Sequence, residues 1–406
     1  MINLQVLTYI SILVFLIILL SFLFSPTKNQ TKIPLWSFLM IVFFLVLAVS
    51  WFVTDLALQW VLIEASTLFG ALLVSVIRSK KAIEVAWKFL LINSFGLGIA
   101  FLGLIILAFG VQSNVSFDSE LILKKISEHD TILVRFGLWL TIFGYSAKLG
   151  LFPNLFWVSD TYAESPSQVS GIIASYIPVS VCIALRPLIK MDQMLSFRIL
   201  SVSNAFLFMA ILTMLYSLWT LYQTKDIRRI TAQVALFHSG ALGIFLWYNP
   251  TDEVFYYLLI SNVVVKSLLF FTLGIFRMDS GARFLEKILL QKKINRMSVV
   301  LFLTSFSIAF ALPISSVFVS DLIIIKMSLV SGYYWGILVP FCSLIFFAIG
   351  LFRFLPVLNV PAREFLEADS TRLKIRVSFS IVLFLITVGF GIFGIYIFLN
   401  GGFGNA

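Results

Sequence analysis

The chain is a succession of apolar runs long enough to cross a bilayer, and that feature decides the solvent it folds in. A hydrocarbon core takes roughly 20 apolar residues per helix. By that ruler the sequence divides into about twelve spans: 3–24, 33–53, 56–77, 84–110, 132–162, 168–189, 198–222, 232–248, 253–276, 298–331, 333–355 and 374–399. Backbone inside lipid must satisfy its own hydrogen bonds, so runs of this length are expected to be helices. Composition agrees, with 60% of residues hydrophobic and 12% charged, where a soluble domain carries about a quarter charged. The expectation is an all-α polytopic membrane protein with the lipid bilayer as a partner. The net charge of +10 speaks for basic loops on the cytoplasmic side, not for a nucleic-acid partner. The first run, Leu4 to Phe24, has no basic residue before it and no small-residue cleavage site after it. It is too long for the apolar region of a signal peptide and reads as a retained span.

Two spans exceed one straight helix. The stretch 132–162 is interrupted by Gly150-Leu151-Phe152-Pro153, and 298–331 by Ala311-Leu312-Pro313. Proline removes a backbone donor and clashes with the preceding turn, so the helices are expected to break at Gly150, Pro153 and Pro313. Each interrupted helix is the fourth of a five-helix set, spans two to six and then seven to eleven. Matched breaks in two halves point to an inverted repeat around an ion pathway; ordinary proline kinks are the alternative. The expected organisation is an N-terminal helix and loop (1–32), a first five-helix repeat (33–190), a second (191–355), and a C-terminal loop and helix (356–406). Within the second repeat, 281–297 carries Phe284, Leu285, Ile288 and Leu289 on one face and basic residues elsewhere. That pattern predicts a helix lying on the cytoplasmic surface.

Loop charge sets orientation. Odd-numbered loops hold Lys28 and Lys32; Arg78, Lys80 and Lys81; Lys225, Arg228 and Arg229; and two later clusters that include Arg283, Lys292, Arg296, Arg363 and Arg376. Even-numbered loops hold Asp118, Glu120, Glu128, Asp130, Asp252 and Glu253. Odd loops are therefore expected in the cytoplasm, with both termini on the other side of the cell (inner) membrane. Asp160 and Glu164 on the cytoplasmic side run against the pattern, as do Lys190 and Arg198 on the outer side.

Charged side chains in hydrocarbon cost several kcal/mol, and those that persist are usually paired and functional. Glu64, Lys148, Lys266 and Asp321 stand well inside apolar runs. Lys148 lies just before the first break and Asp321 shortly after the second, where freed backbone groups and water lower the cost of a charge. Buried ion pairs that only join helices are the alternative, but such pairs are poor sources of stability. Lys88, one turn into its span, is expected to snorkel, and Lys326 is intermediate. His238 is an intramembrane histidine, read equally as a packed core residue or a proton relay. Cys182 and Cys342 sit in apolar runs without ligand spacing, and an iron–sulfur cluster takes about four thiolates. No cofactor or metal is expected, so any redox chemistry belongs to a partner. Gly389-Phe390-Gly391-Ile392-Phe393-Gly394 fits a dinucleotide fingerprint, but it lies inside a span with no strand before it and reads as helix packing.

These residues carry a resemblance. The segment SAKLGLFPNLFWVSDTYAESPSQVS (146–170) resembles the diagnostic segment of the antiporter-like membrane subunits shared by respiratory complex I, Mrp cation/proton antiporters and membrane-bound hydrogenases. DIRRITAQVALFHSG, NVVVKSLLFFTLG, ALPISSVFVSDLII and WVLIEASTLF resemble further segments of that family, and Asp321 and AWKFL look closest to its hydrogenase-4 type branch. The similarity runs from about Trp51 to the end. It implies that Glu64 and Lys148 form the ion pair of a first half-channel, that Lys266 is the lysine of a second with His238 as its relay, and that Asp321 is the terminal acid. Around Pro178 the family often has a lysine where this chain has Ser175, Tyr176 and Ser180, and Asn262 stands where a histidine is common.

The resemblance implies a proton-translocating subunit of an NADH dehydrogenase or group 4 hydrogenase type complex, with other membrane subunits and a peripheral redox module as partners. A cation/proton antiporter or ion-coupled inorganic-carbon uptake subunit, moving protons or sodium, is one rival. A non-conducting scaffold is the other.

Overall fold

In a computed structural model, residues 2–24, 33–77, 79–111, 117–195, 201–291, 293–310, 312–363, 371–401 and 403 are described. Lys28, Lys32, Arg78, Lys292, Arg198 and Ala311 lie outside them. The described residues form sixteen α-helices in order: α1 (Leu4–Phe24), α2 (Ile33–Ser50), α3 (Leu56–Val74), α4 (Lys80–Gly110), α5 (Ser119–Lys125), α6 (Ile132–Leu149), α7 (Phe156–Glu164), α8 (Ser167–Met194), α9 (Val202–Gln223), α10 (Ile227–Trp247), α11 (Asp252–Ser280), α12 (Leu285–Leu289), α13 (Arg296–Ile308), α14 (Ser316–Ser331), α15 (Leu338–Phe354) and α16 (Thr371–Leu399). Ten of them contain stretches long and apolar enough to cross a membrane. With the shorter α2, and with α6–α7 and α13–α14 each taken as one interrupted crossing, twelve crossings result, as the apolar runs predict. This is a multi-pass membrane protein.

The core gathers on α8, α10 and α11. The most apolar window of α11 is 100% buried, against 28% for α16. A helix apolar all round belongs at the centre of a bundle, and α11 carries Lys266. Helix α8 touches elements of both halves, among them α2, α3, α6, α10 and α11. The N-terminal α1 packs on α11 and α16, and its Ser11 carbonyl accepts from the Tyr176 hydroxyl of α8 at 2.9 Å. Helices α4 and α6 approach closely. A Cβ on Gly144 would stand 2.4 Å from the Gly96 carbonyl oxygen, and one on Gly103 2.5 Å from the Thr141 nitrogen. Small residues permit such approach where no hydrophobic force drives helices together.

Three expectations are corrected. The surface helix over 281–297 shrinks to the five residues of α12, in which Leu285 and Ile288 turn inward while Phe284 and Leu289 stay partly exposed. The chain is tied down on both sides of it. Before it, backbone bonds join Ile227 to Arg283 and Leu285 to Lys225; after it, Ile294–Asn295 pair in parallel with Ala362–Arg363. Helix α10 begins at Ile227, five residues before the apolar run suggests, because Asp226 caps it and Arg228 and Arg229 open its first turn. Asp160 and Glu164 are not strays on a basic face. They neutralise it, Asp160 pairing with Arg229 at 2.9 Å and Glu164 with Arg283 at 2.5 Å. Arg283 also binds Asp226 at 2.5 Å. Partial burial works against its charge, but the two carboxylates outweigh that and raise the guanidinium above its ordinary range.

Candidate functional site

The first break follows from local chemistry. Helix α6 ends at Leu149, and Gly150 turns left-handed at φ +79°, a conformation that suits glycine. Its N–H bonds back to Ala147, and that of Leu151 to Ser146. Pro153 prevents immediate resumption, and α7 starts at Phe156. The freed N–H of Phe152 is taken by the Thr213 hydroxyl of α9 at 2.8 Å, so the first half's break is fastened to the second half.

Lys148, in the last turn before this break, is 0% exposed. Its ammonium donates to Thr67 Oγ1 on α3 at 2.6 Å and lies 5.1 Å from the centre of the Phe89 ring. Glu64 sits one turn before Thr67 on α3, half-buried, and accepts from the Ser94 hydroxyl of α4 at 2.5 Å. Its second carboxylate oxygen has no hydrogen-bond partner among the described residues. The acid and the lysine thus share a site but make no direct ion pair. Thr67 holds the lysine and Ser94 the acid. Both hydroxyls escaped the sequence reading, although Thr67, at i+3 from Glu64, lies on the same helix face.

The second break runs from the end of α13 to Ser315, whose side chain caps α14 by accepting from the Phe318 N–H at 3.1 Å. Pro313 lies within it. His238 on α10 reaches into this break, with Nε2 2.8 Å from the Ala309 carbonyl oxygen. A carbonyl only accepts, so Nε2 carries the hydrogen and Nδ1 of a neutral ring is left as an acceptor. Asp321, in the second turn of α14, is 6% exposed. Ser343 of α15, whose hydroxyl has no hydrogen-bond partner among the described residues, lies near its carboxylate. His238, Asn262, Ser261, Ser320 and Asp321 line one cavity of about 40 Å³, room for about three waters at roughly 10–15 Å³ each.

Lys266 is also 0% exposed, and its nitrogen meets no acceptor among the described residues. Next to it in sequence, the Ser267 hydroxyl pairs with Ser175 of α8 at 2.9 Å, and one turn before it Asn262 donates to the Ser175 carbonyl at 3.0 Å. Where the family often has a lysine, α8 therefore presents a hydroxyl and a carbonyl. On its other side Ser180 accepts from the Trp51 indole at 2.7 Å. Lys88 pairs with Glu84 at 2.6 Å, half-exposed. Lys326 donates to the Phe403 carbonyl at 2.7 Å, near the C-terminal end and apart from the cavity.

Comparison with known proteins places the chain in a family. Residues 53–347 match the family model described as NADH:quinone oxidoreductase/Mrp antiporter, transmembrane. The chain belongs to this family. Among individual members, it is 24% identical over 229 residues to a hydrogenase-4 component F homolog of Methylacidiphilum infernorum, covering 54% of this chain and 48% of that protein. The chain thus spans about half the length of that relative. Among solved structures, a chain of the archaeal membrane-bound sulfane sulfur reductase aligns with a TM-score of 0.79 at 18% identity, covering 95% of this chain and 78% of that one. A chain of respiratory complex I from Thermus thermophilus aligns with a TM-score of 0.73 at 19% identity, covering 95% and 83%. At such identities these structures speak for the antiporter-subunit fold. In function class, this is an antiporter-like membrane subunit of the family.

Proposed function

We propose that this antiporter-like subunit conducts protons through two half-channels, residues 33–190 and 191–355, within a redox-driven membrane complex. The carrying observation is that Lys148 and Asp321 are buried in the protein, each beside a broken helix. Burying an isolated charge costs several kcal/mol, and apolar residues would hold the bundle at lower cost. In the proposed cycle Glu64, held by Ser94, keeps Lys148, held by Thr67, charged. A movement in a neighbouring subunit that draws the acid away leaves the ammonium unpaired, and burial then favours proton release. Ser175, Ser267 and Asn262 bridge the halves at α8, and Lys266, His238 and Asp321 receive the proton. Five crossings per half mean that the halves enter the membrane from opposite sides, which supports the inverted repeat. Basic loops near Lys225 and Arg283 support a cytoplasmic face there, both termini on the other side, and residence in the cell (inner) membrane. Proposed partners are neighbouring membrane subunits and a peripheral redox module.

The test is Lys148→Met in the assembled complex, with proton translocation read in sealed vesicles by a pH-sensitive dye. Translocation should be lost while the complex still assembles. An unchanged rate rejects the role.

A further inference from the structure

Past the cavity at Asp321, along α10 and α14, stands a pair of hydroxyls that does not itself line it. On α10 the cavity is lined from Phe237 to Phe245. Tyr248 follows three residues later, roughly 4.5 Å of helical rise. On α14, Ser328 lies two turns beyond Asp321 and so on the same face; it is fully buried. Tyr248 and Ser328 meet with their oxygens 3.1 Å apart. Beyond them opens a second, polar cavity of about 360 Å³, lined by Asp192, Ser201, Ser203, Trp247, Tyr248 and Ser331 among others. These residues come from three even-numbered connections, α8–α9, α10–α11 and α14–α15, which all end on one membrane face. Trp247, Tyr248 and Tyr333 suit a membrane–water interface. The Asp192 carboxylate is occupied by the Ser201 hydroxyl and the Val202 and Ser203 N–H groups, so it shapes the wall of this vestibule.

The pair has more acceptor positions than hydrogens. The Ser328 hydroxyl reaches the Ile324 carbonyl at 2.7 Å, and the Tyr248 hydroxyl reaches the Tyr333 carbonyl. The contact between the two hydroxyls is a third position, and the Gly336 N–H already donates to Tyr248 Oη at 2.9 Å. Each hydroxyl has one hydrogen, so two hydrogens serve three positions and one is always open. Such a pair passes a proton by turning. A proton delivered to Ser328 Oγ from the cavity side sends the hydroxyl's own hydrogen to Tyr248, and Tyr248 releases its hydrogen to vestibule water. Both residues end neutral and intact. The close approach depends on Gly336, where a Cβ would stand 2.3 Å from Ser328 Oγ and 2.7 Å from Ile324 Cγ1. The walls otherwise offer the apolar Phe245 and Ile324.

The geometry points to Tyr248 and Ser328 as the proton relay between the cavity at Asp321 and the vestibule. This rests on the proton-conducting reading above. Three variants of the full chain in its native complex test it. Asp321→Asn should abolish proton translocation. Combined Tyr248→Phe and Ser328→Ala should slow it about tenfold or more, about 1.4 kcal/mol on the barrier. Tyr248→Cys, on the vestibule wall, should react with a membrane-impermeant, positively charged methanethiosulfonate added on the vestibule side only; the native Cys182 and Cys342 are buried and supply little background. A wild-type rate in the double variant while Asp321→Asn is dead overturns the relay alone. So does labelling of Tyr248→Cys from the opposite face, or none at all. Wild-type translocation in Asp321→Asn overturns the underlying reading instead.

Discussion

The bond from Lys148 to Thr67 is the sharpest test of how the first half works. The ammonium is 0% exposed, and Thr67 Oγ1, 2.6 Å away, is its one hydrogen-bond partner among the described residues. Thr67→Val removes the acceptor while keeping the β-branched shape. A hydrogen bond to a charged group contributes about 1.5–3 kcal/mol. Losing about 2 kcal/mol of it lowers the occupancy of the placed ammonium by a factor of roughly 30. If transfer starts from that placed state, proton translocation by the complex falls by a similar factor. Thr67→Ser keeps the hydroxyl and should stay within about fourfold of the wild type, since only a methyl group of about 0.8 kcal/mol is lost. The assay is the initial rate of dye-reported acidification in sealed vesicles, normalised to the assembled complex. Equal rates for the valine and serine variants would refute the reasoning. They would mean that Lys148 is positioned by its surroundings or not used.

Two further outcomes are open to measurement. Gly144→Ala should lower the thermal stability of the purified complex, because the new Cβ meets the Gly96 carbonyl at 2.4 Å and the Ala100 nitrogen at 2.5 Å; overpacking of this kind typically costs about 1–3 kcal/mol, and an unchanged melting scan would contradict the close α4–α6 approach. Arg283→Gln leaves Glu164 and Asp226 without their shared cation. The segment around α12 should then be cut faster in limited proteolysis, with translocation falling less than in Lys148→Met.

The crossings and both breaks were legible because their causes are local. Twenty apolar residues make a span wherever they sit, and Gly150 with Pro153, or Pro313, ends a helix through its own backbone chemistry. Burial of Lys148, Lys266 and Asp321 was legible for a related reason, since each lies too deep in an apolar run to reach water. The surface helix over 281–297 failed because its amphipathic pattern competes with distant partners: Arg283 answers to Glu164 and Asp226, and Ile294 pairs with Ala362. The early start of α10 was hidden because two arginines lead it, and hydropathy does not register them as helix.

Taken alone, the order of residues determined that the chain crosses the membrane about a dozen times, breaks twice and carries charges where lipid would not tolerate them, because each of these follows from the solvent and from neighbours along the chain. Only the tertiary structure decided which groups meet. It set Thr67 against Lys148 and Ser94 against Glu64, brought His238 to the Ala309 carbonyl, and joined Tyr248 to Ser328 across 80 residues of sequence. A hydrogen bond requires oxygens and nitrogens within about 3 Å, and helix packing, not sequence separation, sets that distance.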